Sequence, residues 1–204
     1  MSIIEYRDNS NKTKGDSRLR LHTKMKIAVF FGNGYEEIEA LSVIDVLRRG
    51  GVTVDMIGVD GEKESSARNI SINMDRVITD VNIDEYDMLV LPGGIPGVHS
   101  LSACDKLTTA LKKFKEEGKW LAAICAGPTI LGKLGLLEDE KATCYPGCEV
   151  DLHAGEHLQD GVVVSGKVIT GKGAGYALDF GLKILEIATN KEQSDNIKKA
   201  MLVK

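Results

Sequence analysis

The chain has 204 residues, 43% of them hydrophobic, and its 26 Lys and Arg against 30 Asp and Glu give a net charge of −4. This is enough apolar content to close one substantial core, and the balance excludes nucleic acid as the main partner, which needs clustered positive charge. No apolar run approaches the roughly 20 residues that span a membrane, and four unevenly spaced cysteines do not read as a disulfide framework, so the expected compartment is the reducing cytoplasm.

Residues 1–24 carry six Lys or Arg against three Asp or Glu and show no apolar periodicity after Ile3 and Ile4. They read as a flexible tail, without the central apolar stretch of a secretory signal. From Met25 the pattern changes, and residues 25–204 read as one domain. The run KIAVFF (26–31) is a buried strand, followed by Ala40, Val43, Ile44 and Leu47 at helical spacing and a Gly50-Gly51 stop. A second β-branched run covers 52–59, and a third, MLVL, covers 88–91 before the turn Pro92-Gly93-Gly94-Ile95-Pro96-Gly97. Next, Trp120-Leu121-Ala122-Ala123-Ile124 stops on Cys125, and Gly127-Pro128 starts a helix. Residues 174–188 read as a long helix and 191–202 as a shorter terminal one. Strands alternating with helices predict a mostly parallel sheet covered on both faces, with ligands at the carboxyl ends of the strands.

Cys125 therefore sits on a strand-to-helix turn. Such a turn presents a side chain at the sheet edge, next to the positive end of a helix, where unpaired N–H groups favour a thiolate. The alternative is an inert buried cysteine. Glu36, Glu37 and Glu39 all fall at the start of the first helix, where acidic residues are favourable without any catalysis, and helical projection puts Glu36 nearest the apolar stripe.

The blocks MKIAVFFGNGYEEIEA, DMLVLPGG, AAICAGP and TGKGAGYALDFGLKILE, in this order from about Met25 to Lys204, resemble the ThiJ/PfpI superfamily and within it the DJ-one branch. The resemblance implies a flavodoxin-like three-layer sandwich, a homodimer, and a reactive cysteine beside an acid from the first helix. Position by position, the cysteine falls on Cys125, the acid on Glu39, and the oxyanion-type backbone N–H groups on Gly94 and Ala126. It further implies a small carbonyl substrate and no cofactor or glutathione; no metal site is expected, because His153 and His157, four apart with Glu156 between, lack a third partner. The implied reaction turns methylglyoxal-type α-oxoaldehydes into hydroxy acids, or removes the same adducts from proteins. The alternative is a stress protein that senses oxidants through sulfinate formation at Cys125.

One departure stands out. Tyr145 lies where a relative has histidine, and Ala126 follows Cys125 where the peptidase-like branch has histidine. No Cys-His pair is visible, which argues against peptidase and amidotransferase activity. The Tyr145 hydroxyl could orient a substrate oxygen or simply cover the sheet edge. Gly171-Lys172-Gly173 lacks the ending of a P-loop and reads as a tight turn with Lys172 reaching toward the site. Cys144 and Cys148 flank Tyr-Pro-Gly in a turn that could bring a second thiol toward Cys125 or close a local disulfide; the reading adopted is loop cysteines.

Overall fold

The computed structural model describes residues 25–204, and the expected tail over 1–24 lies outside the described residues. Strands are β1 (Lys26–Phe31), β2 (Thr53–Gly58), β3 (Lys63–Ser65), β4 (Ser71–Asn73), β5 (Arg76–Val77), β6 (Met88–Leu91), β7 (Trp120–Ile124), β8 (Lys141–Ala142), β9 (Glu156–His157), β10 (Val162–Ser165) and β11 (Val168–Gly171). Helices are α1 (Glu37–Arg49), α2 (Ile95–Ala103), α3 (Asp105–Glu116), α4 (Pro128–Lys133), α5 (Ala177–Ala188) and α6 (Lys191–Ala200).

Seven strands form one sheet in the order β10-β11-β7-β6-β1-β2-β5. All its pairings are parallel except β10 with β11. Because successive strand residues point to opposite faces, each central strand feeds two cores. Ala28, Phe30, Leu89, Leu91, Leu121 and Ala123 meet α2, α3 and α4 on one face. Ile27, Val29, Met88, Val90, Ala122 and Ile124 meet α1 and α5 on the other. This is the flavodoxin-like three-layer sandwich implied by the sequence. Both faces are covered, which explains why the central strands are continuous apolar runs and do not alternate.

Two sequence readings are adjusted. The long helix expected over 174–188 opens as a 3₁₀ turn at Ala174–Tyr176, and α5 proper begins at Ala177. The strands β10 and β11 join the sheet beyond the four predicted runs. They form a hairpin whose two-residue loop places Gly166 at φ 52, a left-handed conformation that glycine adopts at low cost.

The strand order brings the carboxyl ends of β1, β6, β7 and β11 to one edge. Gly32, Pro92, Cys125 and Lys172 each follow directly at the ends of these strands, so the loops that matter converge where parallel sheets place their ligands.

Candidate active site

Cys125 adopts φ 65, one of four non-glycine residues in the left-handed region among the described residues. A side chain there costs on the order of 1–3 kcal/mol, and the surroundings must hold it. They do so through the backbone: the Cys125 N–H donates to the Gly171 carbonyl at 2.9 Å, and the Cys125 carbonyl accepts the Tyr145 N–H at 2.8 Å. The next turn is closed by the Gly127 N–H on the Ile124 carbonyl at 2.9 Å. A Cβ on Gly127 would stand 2.7 Å from the Leu91 carbonyl oxygen, so the elbow needs glycine there for space.

Glu39 is carried on the first turn of α1 and is 1% exposed. Its Oε2 accepts the Gly93 N–H at 2.9 Å, and its Oε1 is buried without a hydrogen-bond partner. Glu36, which helical projection placed nearest the apolar stripe, is instead the N-cap: its side chain accepts the Glu39 N–H at 2.8 Å. The projection fails because the cap residue lies outside the helix and does not share its angular register.

Gly93 is the floor between acid and thiol. A Cβ at this position would stand 2.4 Å from Glu39 Oε2, 2.6 Å from Cys125 Cβ and 3.1 Å from Cys125 Sγ. Carboxyl and sulfur therefore approach each other across a space that only a hydrogen atom leaves open. Gly94 is constrained too: its φ is 90, and a Cβ would stand 2.4 Å from the Gly34 carbonyl oxygen. Among the described residues, the N–H groups of Gly94 and Ala126 donate to no oxygen acceptor; that of Ala126 is turned toward the Cys125 sulfur.

The electrostatics differ from the sequence expectation. Burial raises the Glu39 carboxyl to about 7, with Glu36 adding to the rise, while the bond to Cys125 and the Gly93 N–H act in the opposite direction. Burial also pushes the Cys125 thiol up, and the Glu39 carboxylate pushes it further; the Ala126 N–H pulls it down only in part. A thiol lowered by the helix start alone is thus not what the site contains. The helix behind it, α4, has six residues and a correspondingly small dipole, which does not offset desolvation. Two adjacent anions are not tolerated here, so the pair retains one proton, and a thiolate is accessible when that proton rests on Glu39.

These groups face a cavity of about 480 Å³ that Glu36, Glu39, Gly94, Cys125, Ala126 and Tyr145 help to line. Five of the six sequence-nominated residues are brought together here. Lys172 is not: its ammonium donates to the backbone and side-chain oxygens of Gln159, each at 3.1 Å, and it is not among the lining residues. Tyr145 is 53% exposed, more than a half-buried cover, and its backbone rather than its ring fastens it to Cys125. The sequence reading missed Arg68, which also lines the cavity, as does Cys148, which the sequence reads as a loop cysteine. No local motif marks Arg68, whereas Cys148 was visible as one end of Cys-Tyr-Pro-Gly-Cys.

Fold and site together define an α/β protein of the flavodoxin-like class with a cysteine on a nucleophile elbow and a buried carboxyl beside it. The sequence pattern of the DJ-1/PfpI family matches residues 25–187, and the chain belongs to that family. It is 36% identical over 168 residues to the "Glutathione-independent glyoxalase DJR-1.2" of Caenorhabditis elegans, covering 81% of this chain and 89% of that one. It is 33% identical over 182 residues to "Protein DJ-1 homolog A" of Arabidopsis thaliana, covering 87% of this chain and 46% of that protein, so the chain spans about half the length of that relative. Among solved structures, "Toxoplasma gondii DJ-1, oxidized" superimposes with a TM-score of 0.84 at 38% identity, covering 87% of this chain and 98% of that one.

Proposed function

We propose that this protein converts small α-oxoaldehydes of the methylglyoxal type to 2-hydroxy acids, without cofactor or glutathione, through a covalent adduct on Cys125. The observation that carries the reading is the juxtaposition of a thiol and a buried carboxyl with a value of about 7, both facing a cavity that Gly94 and Ala126 also line. A relative named a glutathione-independent glyoxalase supports it.

The chemistry follows from where the proton can go. With the proton on Glu39, the Cys125 sulfur attacks the aldehyde carbon, and the carbonyl oxygen takes that proton as the C=O π bond opens. The N–H groups of Gly94 and Ala126, both from residues lining the cavity, would meet the developing charge on that oxygen. Glu39, now a carboxylate, removes the hydrogen on the sulfur-bearing carbon and returns it to the neighbouring carbonyl carbon, a task suited to a group with a value near the working pH. The first hydroxyl becomes a thioester carbonyl as its proton passes to the second oxygen. Solvent water then splits the thioester, releasing the 2-hydroxy acid and restoring the thiol. The redox change is internal to the substrate: one carbon is oxidised and its neighbour reduced.

The same steps on a protein-bound adduct would release the side chain, and Tyr145 at the cavity wall is the residue to orient a substrate oxygen. The test is lactate formation from methylglyoxal in the absence of glutathione. Wild type should turn over and Cys125→Ala should not; lactate at equal rates from both would sink the reading.

A further inference from the structure

A second sulfur lines the cavity that holds the nucleophile. Cys148 is half-buried, as Cys125 is, and both are free thiols lining the same space. The turn that carries Cys148 is fastened to the nucleophile's own backbone: the Tyr145 N–H donates to the Cys125 carbonyl at 2.8 Å, and the Cys148 N–H donates to the Tyr145 carbonyl at 3.0 Å. Between them, Gly147 sits at φ 93 with nothing within 4 Å of where a Cβ would be, so no neighbour packs against the turn at this point. Cys148 also lines an adjoining cavity of about 190 Å³ with Ala126, Thr129 and His99. Cys144, by contrast, is 1% exposed and belongs to the core under the sheet, and it is not among the lining residues.

We propose that Cys148 is a resolving thiol for Cys125, closing a reversible Cys125–Cys148 disulfide across the cavity when a peroxide reaches the nucleophile. The Cys125 sulfur attacks one peroxide oxygen, the O–O bond breaks, and water or an alcohol leaves, giving a sulfenic acid. The Cys148 sulfur then attacks the Cys125 sulfur. The S–O bond breaks, the S–S bond forms, and the departing hydroxide leaves as water with the Cys148 proton. Two thiols are oxidised by two electrons in total, and the peroxide is reduced.

The surroundings divide the roles. Negative charge at Cys148 raises the proton affinity of Cys125, which is what neighbouring sulfurs do. Burial, then Glu149, also holds the Cys148 thiol above its ordinary value, so it is position and not proton affinity that divides the roles: Cys125 stands beside Glu39 and the Ala126 N–H, and Cys148 on the cavity wall. The disulfide would stop the chain of oxidation before the irreversible sulfinate and would close the site until a reductant reopens it.

The experiment uses the full chain and reads thiol chemistry, not turnover, so its failure is distinct from failure of the proposed activity. After exposure to equimolar hydrogen peroxide near neutral pH, peptides are mapped by mass spectrometry without reduction. In wild type the main product should be the Cys125 and Cys148 peptides joined, about 2 Da lighter than the two thiols and released by dithiothreitol. In Cys148→Ser, Cys125 should instead advance to a sulfinate, about 32 Da heavier, and the dithiothreitol-recoverable fraction should fall at least tenfold. Cys144→Ser should keep the cross-link. A wild-type Cys125 sulfinate with Cys148 still a free thiol would overturn the proposal, as would a Cys144–Cys148 cross-link. The wild-type map decides the question even if a variant does not fold.

Discussion

Glu39 Oε2 and Cys125 Sγ lie 2.4 Å and 3.1 Å from the same point, the place where a Cβ on Gly93 would be. The acid comes from the first helix and the thiol from the turn after β7, far along the chain, and the glycine from a third segment keeps them in reach of a shared proton. The coupled titration and the tolerance of Gly93 to substitution follow from this contact, and the pH dependence of stability from the burial of Glu39.

The pair should titrate as a unit. Its first proton should leave near the value of about 7 set by the buried carboxyl, and the second should be held above the ordinary cysteine range by burial and by the charge already present. The pH profile of iodoacetamide alkylation, followed peptide by peptide, checks this. Glu39→Ala should move the Cys125 profile and leave that of Cys104 alone. A Cys125 profile identical in wild type and Glu39→Ala would mean that the two groups are not coupled.

Gly93→Ala should damage the site and the fold together. The added methyl meets a carboxylate oxygen at 2.4 Å and the Cys125 Cβ at 2.6 Å, and neither belongs to a flexible chain end free to swing away. Overpacking of this kind costs about 1–3 kcal/mol. Urea titrations should show a loss in that range, with lactate formation down by a hundredfold or more. Unchanged stability and turnover would show that the two side chains do not converge here in solution.

Stability should depend on pH through Glu39. Its folded value is raised to about 7 from 4.5, so between these values the native state binds a proton that the unfolded chain has released. Stability from this group is therefore fully present below about pH 4.5 and declines as pH rises through 7, by about 3 kcal/mol at about 1.4 kcal/mol per unit. Glu39→Gln removes the titration. The variant should gain on wild type as pH rises from 4.5 to 7.5 in urea unfolding, and a constant difference across that range would refute the burial argument.

Histidine should be dispensable for turnover. His99, His153 and His157 are not among the residues lining the Cys125 cavity; His99 lines only the smaller adjoining one. Each histidine changed singly to asparagine should retain lactate formation within a few-fold of wild type. A loss of about a hundredfold in any of them, the scale of a removed general base, would require a mechanism with an imidazole in it.

What the sequence determined by itself is what neighbouring residues decide. The runs at 26–31, 88–91 and 120–124 are strands because apolar residues bury both faces of a parallel sheet, and Cys125 is on an elbow because an apolar run ends at Cys-Ala-Gly-Pro. These are local facts, set within about ten residues. The tertiary structure decided which glutamate serves the site, because Glu36 caps the helix while the docking of α1 against Gly93 buries Glu39; the resemblance to relatives pointed to Glu39, but no wheel or spacing did. It turned Lys172 away toward Gln159 and brought Arg68 and Cys148 to the cavity from separate loops. It also reversed the expected direction at the thiol. A helix start is visible in sequence, but desolvation is a property of everything packed around a group, and at Cys125 desolvation outweighs the short helix behind it.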